Sequence, residues 1–417
     1  MAESARMRES LKHAFQVCVA VGFATVPMIA VALMQSGGSS VAIAVYASVG
    51  EELIAFSADI EHGTLTRQSS VMLPGFVQEA WVSPSGPFLY VAWSNGGASY
   101  AGTGVTPVGD KHGITAFRVD SSGGLHAHGA SASIRSRPIY ITGDVSRRHL
   151  LVAYNDPSGI SVHAINADGT VGSEIQQSSA LDVGIYAHNV RVLPTNDAVV
   201  LVTRGNEPTS TTREDPGALK VFRYADGKLT NLASIAPSNG IGFRSRHLDF
   251  HPTRPWAFLT LEAQNRLEVW GITNGTLTAQ PLFTKATLAD GTGVKAGQTA
   301  STVHVHPNGQ FVYVANRGAA GGTNNIAVFR INQQTGEPSL IQNIDTHGST
   351  PRTFSIDPSG RMLVVGNQTT RSVAGKTVPS NLAVFRIRSD GMLDFVRTYD
   401  VAVGGKPLWW TGLVALR

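Results

Sequence analysis

Two histidines stand one residue apart in the stretch STVHVHPNGQFVYVANRG, residues 301 to 318. Side chains two residues apart on a β-strand point to the same face, so His304 and His306 would converge on one metal ion. The same stretch contains Arg317, whose guanidinium suits an anionic substrate. Whether these residues are metal ligands, turn residues or parts of an active site depends on the elements that hold them.

The stretch is one copy of a repeat made of a strand, a turn and a second strand. The copies read EAWVSPSGPFLYVAWS at 79, YITGDVSRRHLLVAYN at 140, NVRVLPTNDAVVLVTR at 189, HLDFHPTRPWAFLTLE at 247, TVHVHPNGQFVYVANR at 302 and TFSIDPSGRMLVVGNQ at 353. A third strand, such as ALKVFRYAD or NIAVFRINQ, follows, and then a turn into a fourth. Four short strands repeated every ~50 to 60 residues, with Pro and Gly at the turns, predict the blades of a β-propeller.

The chain ends supply a seventh blade. Residues 41 to 73 contain three strand segments without a first strand, and the C-terminal KPLWWTGLVALR has the pattern of a first strand with nothing after it. Joining the two removes two exposed strand edges. The sequence therefore predicts an all-β fold, a seven-bladed β-propeller over residues 41–417 whose ring is closed by the C-terminal strand joining the N-terminal blade.

The repeat assigns His306 to a turn. The residue before the turn proline, or its equivalent, varies among the copies: Ser83, Asp144, Leu193, His251, His306 and Asp357. We therefore predict that His251 and His306 cap or solvate a hairpin. His126 and His128 fall at an outer turn and receive the same interpretation.

Charged residues concentrate at two other positions of the repeat. If the hairpin is centred just after the proline, the residue six before it lies opposite the residue ten after it. This arithmetic pairs His188 with Arg204, Arg246 with Glu262, Ser301 with Arg317, and Arg352 with Gln368. These positions lie at the ends of the inner strands, where the central channel opens. The predicted rim cluster of arginines, a histidine and a glutamate suits acid–base chemistry on an anionic substrate; separate surface ion pairs are the alternative.

One layer deeper in the channel, three residues before the proline, stand Asp249 and His304. They would support the rim, touch the substrate, or equally serve as structural residues bonded to water. We add His247, beside Arg246, to the candidate substrate-binding residues.

The composition is that of a folded, loop-rich protein, with 42% hydrophobic residues, 44 Gly and 20 Pro. The formal charge of +4 is spread over the chain without a run of Lys or Arg, which argues against nucleic-acid binding. The only cysteine is Cys18, so the rest of the chain has no disulfides. Hydrolase and zinc-protease motifs are absent, and the GKT at 375 and GTGVKA at 291 lack the flanking elements of nucleotide loops. We predict no metal and no cofactor.

Residues 14–34 contain no charged residue and follow Arg6, Arg8 and Lys12. They are interpreted as an export signal or a membrane anchor, and Pro27 with the following QSGGSS slightly favours a cleaved signal. A mispredicted start or a buried helix is a third interpretation. We therefore divide the chain into residues 1–40, a signal peptide or anchor with a linker, and the propeller at 41–417. The expected location is periplasmic or secreted, or alternatively membrane-anchored through residues 14–34.

The segments SRHLDFHPTRPWAFLTLEAQNRLEVW, TVHVHPNGQFVYVANRG and STPRTFSIDPSGRMLVVGNQ resemble the lactonase family of seven-bladed propellers. That family includes 6-phosphogluconolactonases of this fold and fungal carboxy-cis,cis-muconate cyclases, and the resemblance covers roughly residues 41–417. The family's proposed active site, a His, two Arg and a Glu at the channel mouth, maps onto His188, Arg246, Arg317 and Glu262. Arg352 matches a further family position that would fit an anionic group.

The resemblance implies hydrolysis, or the reverse closure, of the lactone ring of a small anionic lactone or sugar acid, with no metal or cofactor. Arg246 and Arg317 would hold the anion and the developing oxyanion, and His188 or Glu262 would be the general base. The substrate-binding candidates are Arg352, Arg204, Gln368, His304, Asp249 and His247. We expect a monomer that contacts a membrane only through a possible N-terminal anchor.

Two other functions stay open: a carboxymuconate-cyclase-like lactonising enzyme, and a non-catalytic exported propeller that serves as a binding scaffold. Export also makes a free sugar lactone a fair alternative to a phosphorylated one.

Overall fold

The computed structural model of this protein describes residues 41–84, 86–96, 109–290, 296–318, 322–373 and 375–416. The predicted signal or anchor at 14–34 lies outside these residues, and so does Cys18. Within the described ranges, no helix is long and apolar enough to cross a membrane.

The described strands form seven antiparallel sheets of four or five strands, which are the seven predicted blades, and one separate two-stranded sheet. From the innermost strand outward, blade 1 contains Leu408–Ala415, Ile43–Val49, Glu52–Asp59 and Thr64–Met72. Blade 2 contains Phe76–Val82, Phe88–Ser94, His112–Val119 and Leu125–Ala127, with Ala132–Ser133 also on the third strand. Blade 3 contains Pro138–Gly143, His149–Asn155, Ser158–Ile165 and Val171–Glu174.

The remaining blades follow the same order. Blade 4 contains Ala187–Val192, Ala198–Thr203, Ala218–Ala225 and Lys228–Ile235, and a 3₁₀ turn at Pro237–Gly240 follows it. Blade 5 contains Ser245–Phe250, Trp256–Leu261, Arg266–Thr273 and Thr276–Leu277, with Phe283–Ala286 also on the third strand. Blade 6 contains Gln298–Val305, Phe311–Gly318, Asn325–Ile331 and Pro338–Asp345. Blade 7 contains Pro351–Ile356, Met362–Asn367, Asn381–Ile387 and Leu393–Asp400, and it carries the small hairpin Arg371–Val373 and Lys376–Val378.

The C-terminal strand closes the ring, as predicted. It pairs antiparallel with Ile43–Val49, from Ile43 opposite Ala415 to Val49 opposite Leu408. The innermost strands of successive blades contact one another around the channel, and the C-terminal strand lies between those of blades 7 and 2. Blade 1 is therefore made from both ends of the described chain.

The hydrophobic core is divided among the boundaries between blades. Seven clusters of buried apolar side chains occur in the described residues, and each one joins two neighbouring blades. A blade in the ring is thus apolar on both faces, which explains why strands such as FVYVAN read as nearly continuous hydrophobic runs.

The histidines at the inner turns cap their hairpins, as predicted, since Nδ1 of His251 accepts from the backbone N–H of Arg254 at 3.0 Å and Nδ1 of His306 accepts from that of Asn308 at 3.1 Å. They also connect neighbouring blades. Nε2 of His251 donates to the carbonyl of Gly309, and Nε2 of His306 donates to that of Gly360, both at 2.8 Å. Gly309 has φ +72, and a Cβ there would lie 2.6 Å from the His251 ring. This turn position therefore requires glycine.

The two outer-turn histidines also have structural partners. Nε2 of His126 lies 2.7 Å from a carboxylate oxygen of Asp120, and Nε2 of His128 lies 2.8 Å from the carbonyl of Asp168.

Candidate active site

The predicted cross-strand pairs are wrong by two residues. In blade 6, Arg317 lies opposite Thr299 and not Ser301. One residue of this difference arises at the turn, where Val303 faces Val314, and the other from a β-bulge in the innermost strand. Blades 4, 5 and 7 show the same shift, since the backbone N–H groups of Arg204, Glu262 and Gln368 donate to the carbonyls of Tyr186, Arg244 and Thr350.

Blades 2 to 7 share this bulge at the repeat position six residues before the turn proline or its equivalent. The unpaired residues at this position are Gln78, Ile139, His188, Arg246, Ser301 and Arg352, and in blades 5 and 6 the unpaired segment also includes His247 and Thr302. In blade 1 the register shifts at Trp409 and Trp410. A bulge leaves a residue without a cross-strand partner and changes the direction of its side chain. The ring thereby directs a set of bulge side chains to the mouth of the channel.

A pocket of about 490 Å³ opens at this mouth. Its walls are Ile139, Tyr186, His188, Arg204, Arg246, Glu262, Arg317, Arg352, Gln368 and Trp409. Seven of the ten site residues predicted from the sequence are therefore brought together here.

Three residues beside the pocket have a left-handed backbone. Tyr186, Arg244 and Thr350 have φ values of +57, +45 and +59, respectively. Their carbonyls are the acceptors for Arg204, Glu262 and Gln368, as described above. Non-glycine residues in this conformation are strained and cluster at functional sites.

Glu262 is the electrostatic centre of the pocket. Its Oε2 accepts a hydrogen bond from Nε of Arg204 on blade 4, and its Oε1 accepts one from Nη2 of Arg317 on blade 6. Nε of Arg246, from the same blade as Glu262, lies 3.4 Å from Oε1. One buried carboxylate therefore faces guanidinium groups from three successive blades.

Several buried donors in this pocket have no acceptor among the described residues. They are Nη1 of Arg246, Nε of Arg352 and the indole Nε1 of Trp409. The Arg352 guanidinium stacks on the Trp409 ring, with Cζ 3.5 Å from the ring centroid. Leaving buried, charged donors unsatisfied is costly. An anion with several acceptor oxygens would satisfy them.

The arginines outnumber the carboxylates in the pocket, and their pKa values reflect this. Burial, together with the charge of Arg317, lowers the pKa of Arg352 to about 9. Burial and the same neighbour also hold the pKa of Arg246 well below its usual range. A bound anion would favour the charged form of both groups.

The pKa values of His188 and Glu262 are both lowered, for different reasons. Burial, and then the charges of Arg246 and Arg352, hold the pKa of His188 well below the usual imidazole range. Burial would raise the pKa of Glu262, but Arg317, Arg204 and Arg246 outweigh it and hold that pKa well below its usual range. At neutral pH the pocket thus contains a neutral imidazole and a carboxylate that binds protons weakly.

Three predicted substrate-binding residues lie deeper in the channel. His247 and His304 line a second chamber below the pocket, and the His247 ring centroid is 5.2 Å from that of His188. Asp249 accepts hydrogen bonds from Nη2 of Arg191 at 2.7 Å and from the backbone N–H of Val305 at 2.9 Å. Asp249 therefore links blade 5 to blades 4 and 6.

The sequence reasoning missed four residues near the site: Ile139, Tyr186 and Trp409 in the pocket, and Glu79 in the lower chamber. Trp409 would have been found by aligning the C-terminal strand with the repeat, since it occupies the bulge of blade 1. Burial raises the pKa of Glu79 to about 8, with Arg352 acting in the opposite direction. Glu79 is therefore mostly protonated at neutral pH.

No group of three or more His, Cys, Asp or Glu side chains suited to a metal ion occurs in the part of the chain that the structure describes. The pocket's donors are mainly cationic, which suits an anion and not a metal ion.

Comparison with known proteins agrees with this architecture. Residues 40–381 match the family described as Lactonase, 7-bladed beta-propeller. The chain is 27% identical over 349 residues to a 6-phosphogluconolactonase of Pectobacterium atrosepticum, covering 83% of this chain and 91% of the relative. It is 28% identical over 357 residues to a 6-phosphogluconolactonase of Yersinia pestis, covering 83% and 90%.

Solved structures share the fold. The periplasmic gluconolactonase of Pseudomonas aeruginosa superposes with a TM-score of 0.66 at 21% identity, covering 90% of this chain and 100% of that one. A putative 6-phosphogluconolactonase of Bacteroides uniformis gives 0.69 at 18% identity with the same coverage.

Proposed function

The chain belongs to the lactonase family of seven-bladed β-propellers, and we propose that it hydrolyses, or reversibly closes, the lactone ring of an anionic sugar-acid type substrate at the channel mouth. The observation that carries this proposal is the division of charge in the pocket. Glu262 is bound by three arginines, while buried donors of Arg246, Arg352 and Trp409 have no acceptor in the described residues. These donors surround a neutral His188.

The unsatisfied donors bind the anion and the reacting carbonyl. Arg352 and Trp409 form one wall and would hold a phosphate or carboxylate of the substrate or, for an uncharged sugar lactone, the carboxylate of the acid that forms when the ring opens. Arg246 and Arg317 lie beside Glu262 and would stabilise the oxyanion that forms when the lactone carbonyl is attacked. Because these groups are already fixed by packing, they need little reorganisation during the reaction.

We propose His188 as the general base, and its lowered pKa together with that of Glu262 supports this choice between the two residues that the sequence left open. Its neutral imidazole accepts a proton from water as the water oxygen attacks the carbonyl carbon. The bond from that carbon to the ring oxygen then breaks, and the ring oxygen receives the proton from the imidazolium. The same steps in reverse close the ring.

Glu262 positions the arginines. Its pKa lies well below the usual range because three guanidinium groups favour the carboxylate. A carboxylate this acidic is a weak base, so its contribution is to hold Arg204, Arg246 and Arg317 against their mutual repulsion.

The names of the relatives support a sugar-acid lactone. The curated relatives are 6-phosphogluconolactonases, and the Pseudomonas aeruginosa neighbour is a periplasmic gluconolactonase. The latter also supports our proposals that residues 1–40 direct export or anchor the chain and that the substrate is a free sugar lactone or another aldonate precursor. We further propose that the protein acts as a monomer without a cofactor.

A titration assay at constant pH tests the reaction. The purified full chain is given glucono-1,5-lactone, 6-phosphoglucono-1,5-lactone, glucaro-1,4-lactone and an uncharged aliphatic lactone, and acid release is corrected for spontaneous hydrolysis. We expect turnover of at least one sugar lactone and none of the aliphatic one. Absence of turnover with all four, and of ring closure with a carboxymuconate, would support a binding scaffold instead.

A further inference from the structure

A large groove leads away from the pocket between blades 7 and 1. Its walls are Thr350, residues 368–370, Pro379, residues 400–407 and Trp409. These residues belong to loops at the same end of the propeller as the pocket. The groove is larger and more open to solvent than the pocket, with about 1720 Å³ of space that includes open solvent, against about 490 Å³ counted in the same way for the pocket. We call it the 7–1 groove.

The 7–1 groove is continuous with the pocket. Gln368 and Trp409 line both of them, so a molecule held by Arg352 in the pocket would pass these two side chains on its way into the groove. The far part of the groove is open, because a Cβ on Gly404 or Gly405 would meet no other heavy atom within 4 Å. A substrate larger than one lactone ring therefore has room beyond the pocket.

The lining of the groove combines hydroxyl groups with small apolar surfaces. Thr369 and Thr370 are exposed, and the apolar surface includes Pro379, Ala402 and Pro407. A pyranose ring presents the matching chemistry, since its hydroxyls lie around the edge and its C–H groups form apolar faces.

Few charges in the groove are free to bind a second anion. Nζ of Lys406 lies 2.5 Å from a carboxylate oxygen of Glu51 and 5.6 Å from the centroid of the Phe76 ring. The other charged residue of the lining is Asp400, which repels anions and accepts hydrogen bonds from sugar hydroxyls. The groove thus differs in chemistry from the arginine-rich pocket.

We propose that the 7–1 groove binds the second sugar unit of a lactone whose acid unit carries a glycosyl substituent. The preferred substrates are then disaccharide lactones such as cellobiono- or maltobiono-1,5-lactone, which are uncharged themselves but whose ring-opened acids carry the carboxylate that the arginines of the pocket would hold. This proposal rests on the proposed lactonase function and specifies its substrate class.

Binding of the stable ring-opened acids tests the groove directly. Isothermal titration calorimetry compares gluconate with cellobionate and maltobionate on the full chain. We expect at least one disaccharide acid to have a Kd about tenfold below that of gluconate. Equal affinities, or weaker binding of both disaccharide acids, would overturn the proposal.

A variant that fills the groove tests its location. Thr369→Trp should bring the ratio of the gluconate Kd to the disaccharide-acid Kd down to about one. Thr230→Trp is the matched control on the outermost strand of blade 4, where Thr230 is exposed, and it should keep the wild-type ratio. If Thr369→Trp fails to fold, Ala402→Trp replaces it. A ratio unchanged in the groove variant would contradict the proposal.

Hydrolysis of the matching lactones separates this proposal from the lactonase function. Turnover with the same KM for glucono- and cellobiono-1,5-lactone would support the lactonase function and contradict a sugar-binding role for the 7–1 groove. Tighter binding of a disaccharide acid without turnover of any lactone would support a carbohydrate-binding site in the 7–1 groove and contradict the lactonase function. A preference for lactones with long alkyl substituents over disaccharide lactones would also reject a sugar as the occupant.

Discussion

Nε of Arg204 donates a hydrogen bond to Oε2 of Glu262 across the boundary between blades 4 and 5. The same arginine also bonds through Nη2 to Glu207, at 2.6 Å. The two acceptors differ in exposure, since the Glu262 side chain is 11% exposed and that of Glu207 is 58% exposed. This difference makes the two glutamates a matched pair for measuring what the buried carboxylate contributes.

Glu262→Gln should destabilise the protein as well as inactivate it. The change leaves Arg204, Arg246 and Arg317 without their shared counter-charge, and breaking a buried ion pair costs about 3–5 kcal/mol. Glu207→Gln should cost less than about 1 kcal/mol, because the Glu207 side chain is exposed and Arg204 keeps its bond to Glu262. Urea unfolding of the two variants measures the difference. Equal stability of the two variants would show that Glu262 does not neutralise the arginines.

His188→Asn should remove the general base without unfolding the protein. We expect kcat on the lactone to fall by about 10²- to 10⁴-fold, with a free energy of unfolding close to that of the wild type. His62→Asn, at a histidine whose side chain is 78% exposed, is the control and should leave kcat unchanged. Retained activity in the His188 variant would assign the base to another residue.

The fall of kcat/KM at acid pH should occur below the ordinary pKa of histidine. Protonated His188 cannot accept a proton. The enzyme should therefore be fully active above the pKa of His188 and lose activity as pH drops through that pKa. Because that pKa lies well below the normal value, kcat/KM should remain high down to below about pH 6.5.

The same shift affects stability in a defined direction. As pH falls, the unfolded chain takes up the proton before the folded chain does. The stabilising contribution of neutral His188 is therefore present above the unfolded pKa and is lost as pH falls below it.

Measurement of kcat/KM between about pH 4 and 8 tests the predicted activity profile. An acid limb at or above about pH 6.5 would contradict the assignment.

Glu79→Gln should reduce the loss of affinity for anions that accompanies ionisation of the Glu79 carboxyl at alkaline pH. The carboxyl of Glu79 has a pKa of about 8, so it gains a negative charge as pH rises through that value and then offsets the charge of Arg352. We expect gluconate to bind the wild type more weakly about one unit above this pKa than about one unit below it.

The Gln variant should show a smaller change over the same range. Arg352, with a pKa of about 9, loses charge at higher pH in both proteins, so the difference between them isolates Glu79. Calorimetry at the two pH values provides the measurement. Identical pH dependence in the two proteins would show that Glu79 does not act on the pocket.

Deletion of residues 407–417 should prevent folding. It removes Leu408–Ala415, the innermost strand of blade 1, and exposes the edge of Ile43–Val49 together with two of the clusters between blades. A synthetic peptide of the deleted residues, added during refolding, should restore a cooperative thermal transition. A truncated chain that is soluble and melts cooperatively without the peptide would show that closure is not required.

The sequence by itself determined the architecture and most of the pocket's members. Each blade is a local unit whose strands and turns repeat every ~50 to 60 residues, so the pattern is visible without long-range information. The N-terminal blade, which begins near residue 41, lacks a first strand, and the strand after residue 406 has no partner in sequence order. Pairing the two was predictable because a closed ring leaves no strand edge unpaired. Position within the repeat was enough to select His188, Arg246, Glu262, Arg317 and Arg352, since equivalent positions lie at the same level of the channel.

Only the tertiary structure decided how these residues meet. The bulge adds one residue to the innermost strand at positions as different as Ile139, His188 and Arg246, so no residue type signals it and the cross-strand pairs were misplaced. The contacts of Glu262 with Arg204 and Arg317 join three blades, and they depend on how those blades are arranged around the channel. The opposite behaviour of His188 and Glu262 follows from burial among arginines. Burial and the distances between charges are properties of the closed ring, and for this reason the sequence alone left the base open between His188 and Glu262.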